Sequence, residues 1–204
     1  MAARAAVSRK DAYHHGDLRA QLIRATQALI EERGPEKFSV ADACRLAGVS
    51  TAAPYRHFAT KQDMLEAAAI DGVERKMQRM AAAAAQHPPG TMDALAAFGT
   101  AYVEFAIGEP ELFRMMFSLA GRDDGPNPIA DRGERIYGIC QGHVAQYLGK
   151  DEVDEESMMI SLSLWTVVHG LSFLAIDGKL KHPDQTPIDY REVILATGAR
   201  ILRP

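Results

Sequence analysis

The stretch SVADACRLAGVSTAAPYRHFATK, Ser39 to Lys61, decides the fold. Val40, Ala43, Leu46 and Ala47 recur at three- and four-residue spacings, which predicts a short helix with these four on its inner face. Ser39 is placed to cap its start. Gly48 can take positive φ and end it, and Val49 follows where one side chain plugs the gap between two crossing helices. Ser50 and Thr51 restart the chain. With Thr51 as N-cap, a second helix over Ala52 to Phe58 has Pro54 as its third residue, where a missing amide hydrogen removes no intrahelical bond. Two short helices about a glycine turn make a helix-turn-helix.

The second helix divides its residues in a way a core helix does not need. Phe58 is apolar and faces inward, while Tyr55, Arg56 and His57 offer three kinds of donor in succession, with Lys61 beyond. A helix in the major groove needs small residues at its tip to approach base edges, here Thr51, Ala52 and Ala53, and donors behind them for phosphates. Together with Ser39 these are the candidate DNA-binding residues. The alternative is the solvated face of a small helical bundle.

The run GVSTAAPYRHFATKQDML, Gly48 to Leu65, resembles the DNA-binding signature of the tetracycline-repressor (TetR) family of transcription regulators. The resemblance implies that Tyr55, His57 and Lys61 contact phosphates and that Thr51, Ala52, Ala53 and Arg56 face or flank bases. Pro54 departs from the pattern, since the family more often has another residue there. A second resemblance lies in LWTVVHGLSFL, Leu164 to Leu174, where Trp165, His169 and Gly170 match the Trp-His-Gly signature of one class of TetR-type regulatory domain. The implied fold is all-α: a three-helix helix-turn-helix DNA-binding domain, expected at 1–60, followed by a helical effector-binding and dimerisation domain, expected at 61–204. The family's last two helices form a four-helix bundle with their partner-chain copies. A symmetric dimer of this kind reads a near-palindromic operator.

Charge agrees once it is divided along the chain. The net charge is -4, yet up to Gln62 ten Lys and Arg face six acids, a local excess of +4. A basic head on an acidic body concentrates phosphate attraction at the reading helix. With 47% hydrophobic and 25% charged residues the composition is that of a globular protein. The amino end lacks the apolar core of a signal peptide, and no apolar run of bilayer-spanning length is expected, so a cytoplasmic address without membrane contact is the expectation. Cys44 and Cys140 are far apart and read as buried free thiols, with redox sensing as the alternative.

Before Tyr13 the chain is small and basic, and His14 and His15 suit an arm along the DNA backbone or a disordered segment better than a metal site. Asp17 to Arg33 repeats Leu18, Leu22, Ala25 and Leu29 and stops at Gly34-Pro35, a first helix supporting the helix-turn-helix. A long helix from Lys61 runs through Ala81–Ala85 to His87-Pro88-Pro89-Gly90. Further helices are expected over Thr91–Ile107, Glu109–Leu119, Ile129–Leu148, Ser157–Ile176 and Tyr190–Leu202, with Lys179–Pro187 separating the last two.

The apolar body invites a small-molecule effector. Tyr102, Phe105, Phe113, Met116, Phe117, Trp165 and His169 are the candidate ligand-binding residues, with Met77 and Met115 beside them. Trp165 and His169, four apart, share a helix face. They read either as pocket residues or as a tryptophan and a hydrogen-bonded histidine of the subunit junction. No cofactor and no metal are expected. An enzyme is the rival class, but no phosphate loop, metal cluster or nucleophile motif supports it. An effector-free DNA-binding protein is the third reading, and it requires a body without a cavity.

Overall fold

The computed structural model describes residues 15–123, 125–180, 186 and 188–202. The expected amino-terminal arm and most of the Lys179–Pro187 separator lie outside the described residues. Among these residues there are eight α-helices and no strand: α1 (His15–Arg33), α2 (Val40–Ala47), α3 (Lys61–Ala84), α4 (Met92–Gly108), α5 (Pro110–Ala120), α6 (Pro128–Tyr147), α7 (Glu155–Ile176) and α8 (Tyr190–Ile201). The chain forms two compact units, 1–68 and 69–204.

In the first unit α1 packs on α2. Leu22, Ile30 and Ala43 are wholly buried, with Leu29, Phe38, Phe58 and Met64 beside them. Removing each large apolar side chain from water contributes about 1.5–3 kcal/mol. The helix ends are fixed locally. The Ser39 hydroxyl accepts from the Asp42 amide at 3.2 Å while the Asp42 carboxylate accepts from the Ser39 amide at 2.8 Å, a reciprocal cap. Gly48 closes α2 at φ 69°, in the left-handed region that favours glycine.

Two expectations are corrected here. Leu46 is 55% exposed, and Cys44 takes the inner position, 1% exposed. In an eight-residue helix closed by a left-handed glycine, the three- and four-residue spacings allow more than one inner face. The helix expected over Ala52–Phe58 is instead a single 3-10 turn, Pro54–Arg56, whose preceding residue Ala53 makes no side-chain cap. Its bonds are linked turns: the Ala53 amide donates to Ser50 O at 3.0 Å, and the His57 and Phe58 amides both donate to Pro54 O, at 2.8 and 2.9 Å. Pro54 has no amide hydrogen, and a new helix capped at Thr60 begins too soon for a regular ladder to develop. The Asp63 carboxylate accepts from the Ala59 and Thr60 amides at 2.8 and 3.0 Å, and the Asp63 amide donates to the Thr60 hydroxyl at 3.1 Å, which starts α3.

In the second unit α4 is the central element and packs on α7 and α8. Val103, Phe105, Ala106, Leu112 and Phe113 are wholly buried. The Arg75 guanidinium donates to both Glu109 carboxylate oxygens at 2.6 and 2.7 Å and to Asp71 Oδ2 at 2.9 Å, tying α3 to the α4–α5 junction. Gly90 takes φ 71° in the turn before α4, which Thr91 caps.

A third correction concerns α7. By length and composition this helix is apolar enough to cross a membrane, with mean hydropathy 1.8 over its most apolar window. Serines and threonines are interspersed among its apolar side chains. Their hydroxyls turn back onto the helix's own carbonyls, as Ser161 does to Ser157 O at 2.6 Å and Ser172 to Val168 O at 2.7 Å. Met158, Met159, Leu162, Trp165 and Leu174 remain exposed on it.

Candidate functional site

The helix-turn-helix presents its candidates as one surface. Thr51, Ala52, Tyr55, Arg56 and His57 are exposed, Ala53 is half-buried, and Pro54 and Phe58 anchor the turn from beneath. Tyr55 is 64% exposed. Among the described residues no side-chain hydrogen bond or ion pair engages Tyr55, Arg56 or His57.

Ser39 and Lys61 are differently placed. The Ser39 hydroxyl both accepts in the α2 cap and donates to Asp42 Oδ2 at 2.6 Å. The hydrogen bonds from Ser39, with Arg45 at 2.7 Å, hold the Asp42 carboxyl down to about 2. Lys61 donates to Glu36 O at 3.2 Å and lies 4.5 Å above the Phe38 ring, so one of its three protons is committed to holding the unit together.

The second unit contains a cavity of about 280 Å³ lined by α3, α4, α5, α6, α7 and α8. Of the expected ligand residues, Tyr102, Phe117 and Trp165 form its wall. His169 stands behind that wall: a 2.9 Å hydrogen bond joins the Tyr102 hydroxyl to its Nδ1, and its ring lies 4.6 Å from Phe117 and 5.3 Å from Trp165. Phe113 crosses Tyr102 edge-on at 5.6 Å. Phe105, Phe113 and Met116 pack in the core outside the cavity wall.

The wall also contains residues that sequence reasoning passed over. Met80, Leu95, Phe98, Val168, Ile194 and Leu202 supply apolar surface. Gly99 lets α7 approach α4 closely, since a Cβ there would stand 3.1 Å from Val168 Cγ1. Cys140 is a free thiol on the wall, and burial pushes it up to about 11, which favours the protonated thiol at neutral pH. Glu134, also on the wall, is exposed.

The most unusual wall residue is Lys76, 4% exposed. Its Nζ lies 4.7, 5.1 and 5.7 Å from the ring centres of Tyr102, Phe117 and Phe113. Burial pulls the ammonium down to about 8, so it is still charged at neutral pH. Burial also pushes the Tyr102 phenol up and the His169 imidazole down, the latter assisted by the Lys76 charge. One sequence signal was available: Val73, Lys76 and Met80 follow one another at three and four residues, which places the lysine on the inner stripe of α3.

Two family models match the chain: that described as bacterial regulatory proteins, tetR family, over 22–68, and that described as tetracyclin repressor-like, C-terminal domain, over 95–196. The chain belongs to the TetR family. It is a DNA-binding transcription regulator. The C-terminal match does not single out the Trp-His-Gly class. Among solved structures, a Rhodococcus protein of unknown function is similar at 29% identity and TM-score 0.77, covering 93% of this chain and 95% of that one. A tetR-family transcriptional regulator from Streptomyces coelicolor shares the fold at 17% identity and TM-score 0.70, covering 91% and 79%. A TetR family regulator from Marinobacter aquaeolei does so at 16% and 0.64, covering 93% and 97%. No curated protein matches the chain.

Proposed function

We propose that this TetR-family regulator is a homodimeric, cytoplasmic repressor that leaves a near-palindromic operator when a small, largely apolar effector fills the cavity of its second unit. The DNA-binding domain is the head ending near residue 60, and the effector-binding and dimerisation domain is the rest. The observation that carries the reading is the cavity, about 280 Å³ and walled almost wholly by apolar side chains. A regulator without an effector needs no such space in its core, and close packing is the rule where nothing is to be bound.

Base and phosphate contacts are assigned to Thr51, Ala52, Ala53, Tyr55, Arg56, His57 and Lys61, with Ser39 at the start of α2. The exposed and unengaged Tyr55, Arg56 and His57 support this. The dimer uses α7 and α8. Support comes from the exposed Met159, Leu162 and Leu174, and from Gly170, where an added Cβ would meet, among the described residues, nothing beyond its own helix backbone within 4 Å. No catalytic role is assigned, and among the described residues no group of three potential metal ligands occurs.

Selection of tight binders from a random duplex DNA pool at physiological salt tests the DNA reading, because nonspecific attraction fades there. Recovery of two related half-sites is expected. With that operator as probe, affinity that stays flat across a broad panel of small molecules would sink the effector mechanism.

A further inference from the structure

We infer that the effector is an apolar monocarboxylic acid whose carboxylate pairs with Lys76 in the cavity of the second unit. This rests on the reading of that cavity as the effector site. The argument begins with the electrostatic state of the wall. Lys76 is 4% exposed, and among the described residues no hydrogen bond or ion pair reaches its Nζ. Taking an ammonium out of water costs several kcal/mol unless a partner offsets it.

Every nearby group that could serve as counter-ion is neutral, engaged or out of reach. Tyr102 keeps its proton, and His169 carries no negative charge in either protonation state. On the same helix Asp71 bonds Arg75 at 2.9 Å and Glu74 bonds Arg132 at 3.0 Å. Glu109 takes two hydrogen bonds from Arg75. Glu134 lines the cavity but is exposed and lies beyond ion-pair distance of Lys76. The faces of Tyr102, Phe117 and Phe113 soften the cost, since a desolvated cation is attracted to the face of an aromatic ring. They supply no negative charge.

The cavity therefore offers one unneutralised buried cation and, apart from the exposed Glu134, mostly apolar walls. A ligand with one anionic oxygen pair and an apolar body satisfies both features. A dianion would place a second charge against hydrocarbon, and a neutral amphiphile would leave the ammonium as it was.

Calorimetry on the full-length protein at pH 7 with two acid–amide pairs tests this: octanoate with octanamide, and 4-phenylbutyrate with 4-phenylbutanamide. In at least one pair the acid is expected to bind about tenfold tighter than its amide, the equivalent of about 1.4 kcal/mol. In Lys76→Met, and in Lys76→Gln as a second variant, that preference disappears while the amide still binds. Equal affinity of acid and amide in the native protein, or an acid preference that survives in a folded Lys76 variant, overturns the inference and leaves the cavity reading intact. Binding of neither member of either pair overturns both. The native comparison decides without any variant, so a misfolded substitution does not obscure the result.

Discussion

The Tyr102 hydroxyl stands 2.9 Å from His169 Nδ1, and the Lys76 ammonium lies 4.7 Å from the centre of the same tyrosine ring. The three groups form one electrostatic unit. Burial lowers the His169 pKa first, and the Lys76 charge lowers it further. Lys76→Met removes the second cause alone. The His169 ring signals, followed by NMR against pH, are then expected to titrate at higher pH than in the native protein while remaining below the ordinary histidine value. An unmoved titration would mean that the lysine charge does not reach the imidazole.

The same substitution has a sign for stability. The Lys76 pKa is about 8 folded against 10.5 unfolded, so between those values the unfolded chain binds more protons and stability rises with pH. At pH 7 the folded protein bears the whole penalty, about 3 kcal/mol. Lys76→Met is therefore expected to be the more stable protein at pH 7 by urea unfolding. The advantage is expected to shrink by about half at pH 9.5. A gap that is constant with pH would show that packing, not charge, is responsible.

For the DNA surface, Tyr55→Phe removes a hydroxyl suited to phosphate and is expected to weaken operator and random duplex alike. Arg56→Ala is expected to relax preference at particular bases, by about 1–3 kcal/mol at each. Band-shift titrations on the selected operator and its single-base variants separate the two. Equal effects of both substitutions on every sequence would defeat the assignment.

Gly90 combines two demands. Its φ is 71°, and a Cβ there would stand 2.9 Å from the backbone oxygen of Gln146, which cannot rotate away. Gly90→Ala is expected to cost about 2 kcal/mol or more. Gly34→Ala, where φ is 81° and an added Cβ would meet no described residue but its chain neighbours within 4 Å, is expected to cost about 1 kcal/mol. Thermal melts of the two variants compare conformational strain alone with strain plus collision.

Much of the fold was legible because its signals are local. The Ser39 cap, the left-handed Gly48 and the Thr91 start of α4 each depend on neighbours a few residues away, and helical spacing located the helices of the body. The turn at Pro54–Arg56 was misread because counting positions from a cap ignores how little chain separates α2 from α3. Leu46 faces outward because in a short helix hydrophobic spacing alone does not fix the inner face, whereas Cys44 is buried, as its reading as a buried free thiol expects. The cavity was less legible. Tyr102, Phe117 and Trp165 stood out as aromatic, but whether an aromatic side chain borders space or fills it depends on partners tens of residues away. Phe113 packs in the core outside the wall, as Met116 does. Lys76 was passed over because lysine on an apolar stripe reads as noise until the absence of a counter-ion is visible in three dimensions.

Trp165 is the sole tryptophan of the chain, and it stands on the cavity wall while 38% exposed. All indole emission from this protein therefore has one origin, flanked by the Tyr137 ring at 6.0 Å and the His169 ring at 5.3 Å. The protein carries a built-in fluorophore that touches the inner space on one side and solvent on the other. A blue shift on adding a ligand and a blue shift on raising protein concentration report two different events at the same ring, and quenching by dissolved iodide distinguishes which side has been covered.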